Sequence, residues 1–468
     1  MRALGWIIAA GLLAQPMAGA AADLRPDQQA FFGLYKELVE TNTVVDIGSC
    51  TQATAQIAAR MKAAGYNDSE LTPFSVPDHP KDGGLVAVLK GSDPKAKPML
   101  LLAHIDVVAA KREDWVRDPF KLIEENGFYY GRGTVDDKAM ASIWADSMIR
   151  FKQSGYKPKR TIKMALTCGE ETTYAFNGAE WLAKNKPDLI AAEFALNEGG
   201  GGRYNAKGER EILAIQVGEK AAQNFTFTTT NPGGHSSQPV PDNAIYELAD
   251  ALEKVRGYEF PVKFTDTTRA FFTAVAGAPQ TPAPMAAAVK RLLANPNDAE
   301  ADKIVSLDKA MHSTLRTTCV ATLLSAGHAE NALPQKATAN VNCRIFPGET
   351  VDGTLATLKQ LAGPKVTVTA NQPVRPIGIP PTLDPKIVGP MKTLADKYFP
   401  GVPMLPSMST GATDGIFLEA IGIPTYGAPG VFIESDFSGI HGLNERIRVE
   451  SLYVGRDYLY DLVKAYAG

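Results

Sequence analysis

Beyond its first two dozen positions this chain of 468 residues has no run of 18 or more apolar side chains, so no transmembrane helix is implied. A basic excess is missing too: 48 Lys and Arg stand against 51 Asp and Glu, for a formal charge of -3. That balance excludes the electropositive footprint of a nucleic-acid binder. No short-period repeat is visible, so the chain is not a solenoid. Histidine is scarce, with six in all, and there are four cysteines. What remains is 45% apolar and 21% charged, the composition of a soluble globular enzyme, with room for two domains.

The first 22 residues differ from the rest. Arg2 is a short positive start, Trp6 to Leu13 is apolar, and small residues follow. Ala18-Gly19-Ala20 or Ala20-Ala21-Ala22 suits signal-peptide cleavage, which predicts an exported protein, periplasmic or secreted. The competing reading is an N-terminal anchor helix. No Cys lies nearby to carry a lipid. An exported compartment permits disulfides. Cys319 and Cys343 lie in β-like runs around a turn centred near residue 331, which leaves them as a disulfide or as two facing thiols. Cys168 reads as a small strand-end residue.

Apolar runs at Leu85 to Leu89, Pro98 to Ala103 and Thr161 to Cys168 alternate with helical patterns at Gln52 to Ala64, Asp137 to Gln153 and Asn177 to Asn185. Such alternation predicts an α/β layered sheet with helices on its faces. After Gly218 the texture changes to alternating strands (Gln223 to Thr230, Arg316 to Leu324, Lys336 to Ile345) with helices at Asn243 to Val255 and Val351 to Leu361. This predicts a smaller α+β domain inserted into the first. Gly277 to Asp302 reads as an Ala/Pro-rich loop with a short helix. The expected division is a signal peptide over 1–22, a first domain over 23–218 and 374–468, and an insert over 219–373.

Five metal-type side chains then stand out: His104 in LLLAHIDVV, Asp136 in GRGTVDDKA, Glu171 in CGEET, Glu198 in FALNEGGG and His441 in SGIHGLNERI. Their separations of 32, 35, 27 and 243 residues rule out a small zinc finger. Each has a bland reading: a surface His, a helix N-cap, a charged loop, a flexible Gly loop. Together they predict loops at strand ends gathered around a pair of metals. Alternate residues of a strand share a face, so Asp106 can hydrogen-bond the second ring nitrogen of His104. Adjacent Glu170 and Glu171 can divide the work, one as free base and one as ligand.

In this set of motifs the chain resembles the co-catalytic zinc exopeptidases of peptidase family M20, which include carboxypeptidase G, bacterial dipeptidases, succinyl-diaminopimelate desuccinylase and the aminoacylases. The resemblance covers the H-x-D strand, the G-R-G-x-x-D-D-K turn, the E-E pair, the later acidic ligand, G-G-H-S and the terminal His. It implies a mixed-sheet zinc-exopeptidase catalytic domain with helices on both faces, interrupted by an α+β lid and dimerisation domain. It implies two zinc ions, with cobalt or manganese as other occupants. Asp136 would bridge them, His104 and Glu198 would complete one site, and Glu171 and His441 the other. Glu170 would be the general base, and Asp106 would serve the site by orienting His104. His235 (GGHSSQP) would reach the oxyanion from the lid of a partner subunit in a homodimer. Asn331 and Arg344 would hold the substrate carboxylate, and Gly411 would contact substrate through its backbone. Ala139 stands where many relatives have Gly, and Gly169 where many have Asp; neither change removes a ligand.

The expected activity is hydrolysis of a peptide bond next to a free C-terminal carboxylate. An N-acyl-amino-acid hydrolase would use the same chemistry. A non-catalytic zinc- or peptide-binding protein is the alternative from another class, and the intact Glu170 speaks against it.

Overall fold

The computed structural model describes residues 24–172 and 176–468, so the expected signal peptide lies outside the described residues. Strand Met99–His104 is buried along its whole length, because its side chains serve two cores at once. Leu101 and Ala103 pack into one cluster with Trp144, Ile143 and Leu459. Leu100 and Leu102 face the other way, into a cluster with Leu182 and Phe417. A strand covered on both faces needs apolar side chains at every position, which is why MLLLA is continuous rather than alternating.

This strand sits near the middle of a ten-stranded mixed sheet. Ile162–Thr167 and Phe194–Asn197 flank it, both parallel to it, and Thr425–Gly427 runs parallel beyond Phe194–Asn197. His104 pairs in register with Thr167. The loops after three neighbouring strands therefore leave the same sheet edge, the carboxyl edge at which open α/β sheets place their sites. Helices Lys138–Gln153 and Val449–Ala467 cover one face, with Pro26–Glu40 and Cys50–Ala63 in the same core. Gly178–Asn185 and Gly415–Glu419 cover the other.

A separate four-stranded antiparallel sheet runs in the order Thr318–Ala326, Lys336–Ile345, Ala221–Thr230, Thr367–Ala370. All four strands fall within 219–373, and helices Ala244–Gly257 and Val351–Ala362 pack in the same core. The register places Cys319 opposite Cys343, and the two are joined as a disulfide. Among the described residues no helix is long and apolar enough to cross a membrane.

Two expectations are corrected. The Ala/Pro-rich stretch is not a loop with a short helix. Asp266–Gly277, Ala283–Ala294, Ala299–Val305 and Lys309–Thr314 are helices with a core of their own around Phe272, Val289 and Leu292. Alanine has the strongest helix propensity, and Pro282 to Pro284 stand at a helix start, where the missing N–H is harmless. Cys168 is not merely a small strand-end residue: it is bonded to Cys50 at the start of helix Cys50–Ala63, 118 residues away. Strand Arg210–Glu219, which had no clear apolar alternation, was not anticipated either.

Candidate metal centre

The five metal-type residues converge at the carboxyl edge. His104 ends its strand with its side chain 1% exposed. Its Nε2 lies 3.1 Å from Asp136 Oδ1 and 3.6 Å from Glu198 Oε1. His441 Nε2 lies 3.1 Å from Asp136 Oδ2 and 2.9 Å from Glu171 Oε2. The two oxygens of Asp136 thus face two different imidazoles, each with one further carboxylate. His104, Asp136 and Glu171 place donor atoms within 4.8 Å of one another, as do His104, Asp137 and Glu198.

Chemically the donor set fits cations. Imidazole and carboxylate are ligands for zinc and its first-row neighbours. Three carboxylates gathered around two imidazoles in a largely buried space call for added positive charge. The His441 imidazole, hydrogen-bonded by Asp136 and Glu171, is pushed up to about 10.

Local structure fixes each group. His104 Nδ1 meets the backbone oxygen of Asp106 at 3.1 Å, and the Asp106 carboxylate at 3.5 Å. The expected pairing to the carboxylate is therefore the longer of the two contacts. That carboxylate is also engaged elsewhere, accepting the N–H groups of Glu170 at 3.3 Å and Glu171 at 3.1 Å. One buried aspartate thus shapes both the His104 strand end and the E-E turn. Gly169 precedes the turn at φ +93°, and an added Cβ there would meet the Phe176 carbonyl oxygen at 1.8 Å. Burial, and then the charge of Glu198, push the Glu170 carboxyl well above the ordinary range. Among the described residues no donor engages the Glu170 side chain, so it is available to exchange a proton.

Three further residues shape the site, and two of them, Glu445 and Asp414, carried no sequence signal strong enough to single them out. Glu445 is fully buried and accepts from Arg132, Gly133, Val135 and Asp136, so it holds the whole G-R-G-T-V-D turn. Asp414 bonds Thr167 at 2.8 Å and Asn177 at 2.7 Å, which ties the S-T-G-A-T-D loop to the strand edge. Asp137 occupies the N-cap position of helix Lys138–Gln153 but makes no side-chain cap bond, and its Oδ2 is buried without a partner. The adjacency of Glu445 to His441 in HGLNER was the one available hint.

A cavity of about 570 Å³ opens beside Glu170 and Glu171, between the two sheets. Arg344 lines it from strand Lys336–Ile345, together with Arg375, Asn224 and Asn342. Gly411 precedes the lining residues Ala412 and Thr413. His235 and Asn331 do not line it. His235 pairs with Ala332 in an exposed two-stranded ladder, where Ser236 N–H donates to the Asn331 carbonyl. Seven of the sequence-derived residues therefore meet at the candidate metal centre, Arg344 faces the same cavity, and the His235–Asn331 pair stands apart from it.

Residues 100–465 match the profile of Peptidase family M20/M25/M40. Human N-fatty-acyl-amino acid synthase/hydrolase PM20D1 is 30% identical over 389 residues, 80% of this chain and 75% of that protein. Mouse aminoacylase-1 is 26% identical over 396 residues, 82% and 84% of the two chains. The fold is similar to the M20 family metallo-carboxypeptidase Sso-CP2 from Sulfolobus solfataricus. The TM-score is 0.70 at 19% identity, covering 95% of this chain and all of the other.

Proposed function

This chain belongs to peptidase family M20/M25/M40, is a metal-dependent hydrolase of amide bonds, and on that premise we propose its substrate, its ions and its assembly. The substrate is a peptide or N-acyl amide cleaved next to a free C-terminal carboxylate. The single observation that carries this reading is Arg344, half-buried in the cavity that also holds Glu170, with no carboxylate of the described residues paired to it. A guanidinium so placed holds a carboxylate by a bidentate pair and sets the scissile bond against Glu170.

Two zinc ions are proposed, held by His104, Asp136 and Glu198 on one side and Asp136, Glu171 and His441 on the other. When bound, such ions polarise the scissile carbonyl and lower the pKa of water at the site. Glu170 accepts the proton of the attacking water as its oxygen bonds to the carbonyl carbon. It then delivers that proton to the nitrogen as the C–N bond breaks, leaving a carboxylate and an amine. Asp106 keeps the Glu170 and Glu171 backbone in place through both transfers.

One relative is named an N-fatty-acyl-amino acid synthase/hydrolase and another an aminoacylase, which supports an N-acyl amino acid as one substrate class. The cavity is lined by amides and guanidiniums as well as by Phe417 and Ile416, which suits a short polar acyl or peptidyl group better than a long alkyl chain.

Export to the periplasm or beyond is part of the proposal. It is supported by the N-terminal sequence pattern and by the pairing of all four cysteines as disulfides. A homodimer through the insert at 219–373 is supported by edge strand Thr318–Ala326, which exposes Val320, Leu323 and Leu324. In that dimer the partner subunit's His235 would supply the oxyanion donor.

The test is a panel of dipeptides and N-acyl amino acids, each paired with its C-terminal amide. Zinc-loaded protein is expected to cleave only the free acids, and Arg344→Ala to raise KM for them. Equal cleavage of the amidated twins would sink the carboxylate reading.

A further inference from the structure

Arg375 is a second guanidinium in the catalytic cavity, and among the described residues no carboxylate pairs with it. It lies on the segment that leads from strand Thr367–Ala370 back to helix Pro385–Tyr398. Gln223 anchors this segment: its Oε1 accepts the Arg375 N–H at 3.1 Å, and its Nε2 donates to the Asn371 carbonyl at 2.9 Å. The backbone of Arg375 is therefore fixed to strand Ala221–Thr230, and its side chain extends towards the loop that carries Glu170 and Glu171. One nitrogen reaches the Thr172 carbonyl at 3.5 Å, and the guanidinium carbon lies 5.5 Å from the Phe417 ring centre. These are weak engagements for a group with five N–H donors.

The acidic groups around the cavity are already committed. Glu171 is held by His441 at 2.9 Å, and Asp414 by Thr167 and Asn177. Glu170 is the proton carrier and stands in the field of Arg344. Among the described residues neither Arg344 nor Arg375 forms an ion pair. Two cationic groups line one cavity from different segments, Arg344 on a strand and Arg375 on a connector. Their neighbours Asn224 and Asn342 hydrogen-bond each other at 2.9 Å, so the wall between them is polar and already ordered. One carboxylate satisfies one guanidinium fork; the other remains half-buried and unneutralised unless the substrate brings a second anion.

We propose that Arg375 is a specificity-determining anion subsite, so that the preferred substrates are dianionic amides, bearing a second carboxylate besides the one beside the scissile bond. The inference rests on the proposed hydrolysis of amides next to a free carboxylate, with Arg344 holding that first group. Arg375 does not touch the reacting atoms; it selects by charge.

The experiment uses the full zinc-loaded chain and two matched pairs, alanyl-glutamate against alanyl-glutamine and N-succinyl-alanine against N-butanoyl-alanine. In at least one pair kcat/KM is expected to favour the dianion by roughly 10- to 100-fold, the range of a charge-assisted hydrogen-bond pair. The pair that shows it locates the second anion on the amine or the acyl side. In Arg375→Met that ratio is expected to fall towards one, and in Arg375→Lys to be kept in part. A residue that only pinned the Thr172 loop would change the rates of both members of a pair and leave their ratio alone. Absence of preference in both pairs, or a preference that survives Arg375→Met in folded protein, overturns the subsite. Inhibition of the unmodified protein gives a second reading that needs no variant. Glutarate is expected to inhibit at concentrations about ten-fold lower than butanoate, and equal inhibition counts against the subsite. Equal turnover within each pair removes this inference and leaves the proposed function standing; no turnover of any free-carboxylate substrate removes both.

Discussion

Glu445 holds Asp136 in place across 309 residues of sequence, its Oε1 accepting the Asp136 N–H at 3.1 Å. The same oxygen takes the Val135 N–H at 2.8 Å, while Oε2 takes Gly133 N–H and the Arg132 guanidinium. Arg132 in turn donates to the Gly442 carbonyl at 2.7 Å, next to His441. One buried carboxylate thus joins the turn that carries Asp136 to the loop that carries His441. Groups that orient metal ligands in this way are worth about 10- to 100-fold in metal affinity or activity. Glu445→Gln is expected to weaken metal binding by that factor in a competition titration against a chelator. It is also expected to lose roughly 3 to 5 kcal/mol of stability in denaturant melts, because Arg132 is left buried without its partner.

Glu170→Gln separates the base from the ligands. The side chain keeps its size and its place beside Glu171, so metal content by elemental analysis should match that of the unmodified protein. Turnover should fall by roughly 100- to 10,000-fold, the usual contribution of a general base. Loss of metal together with turnover would make Glu170 a ligand instead.

The Cys50–Cys168 disulfide closes a loop of 118 residues and ends two positions before Glu170. Cross-links of this span typically contribute about 2 to 5 kcal/mol. Cys50→Ala with Cys168→Ala is expected to lower the melting temperature. It should also lower kcat, since the Glu170 backbone follows directly from the tethered strand end. Retained kcat with a lowered melting temperature would confine the bridge to stability. The Cys319–Cys343 bridge lies in the other sheet, and its removal should lower stability and leave metal content intact.

Burial pushes the Glu419 carboxyl up to about 8. The folded chain therefore holds this proton between about 4.5, the ordinary value, and about 8, where the unfolded chain has released it. Folding stability from this group is complete below the lower value and is lost as pH rises through the upper one. Melts from pH 5 to pH 9 are expected to show Glu419→Gln gaining on the unmodified protein as pH rises. A constant difference across that range would mean that Glu419 is ionised in the fold throughout.

Three of the metal-type residues, His104, Glu171 and Glu198, were legible because they follow apolar strand runs, whereas Asp136 and His441 stood out only by their local motifs. MLLLAH and IKMALT can be recognised as doubly covered strands, and residues just past such strands fall at one edge of a parallel sheet. The Cys319–Cys343 pairing was legible as one of two outcomes, since a hairpin centred near residue 331 sets the two positions opposite each other. What holds the centre was not. Glu445, and Asp106 beyond its expected contact with His104, act largely by accepting backbone N–H groups, and every residue but proline offers one, so those targets leave no mark on the sequence. Cys50 lies in a helix and Cys168 at a strand end, and only the packing of that helix on the sheet brings them together.

The sequence by itself pointed to the class of chemistry, since His104, Asp136, Glu171, Glu198 and His441 with Glu170 beside them supply the donor types of a hydrolytic metal site whatever their distances. Only the tertiary structure decided how Asp136 divides its oxygens between His104 and His441, and which cations share the cavity with Glu170. The physical reason is that residue type fixes what a group can bind, while charge and hydrogen bonding act through space and depend on which distant segments the fold sets side by side.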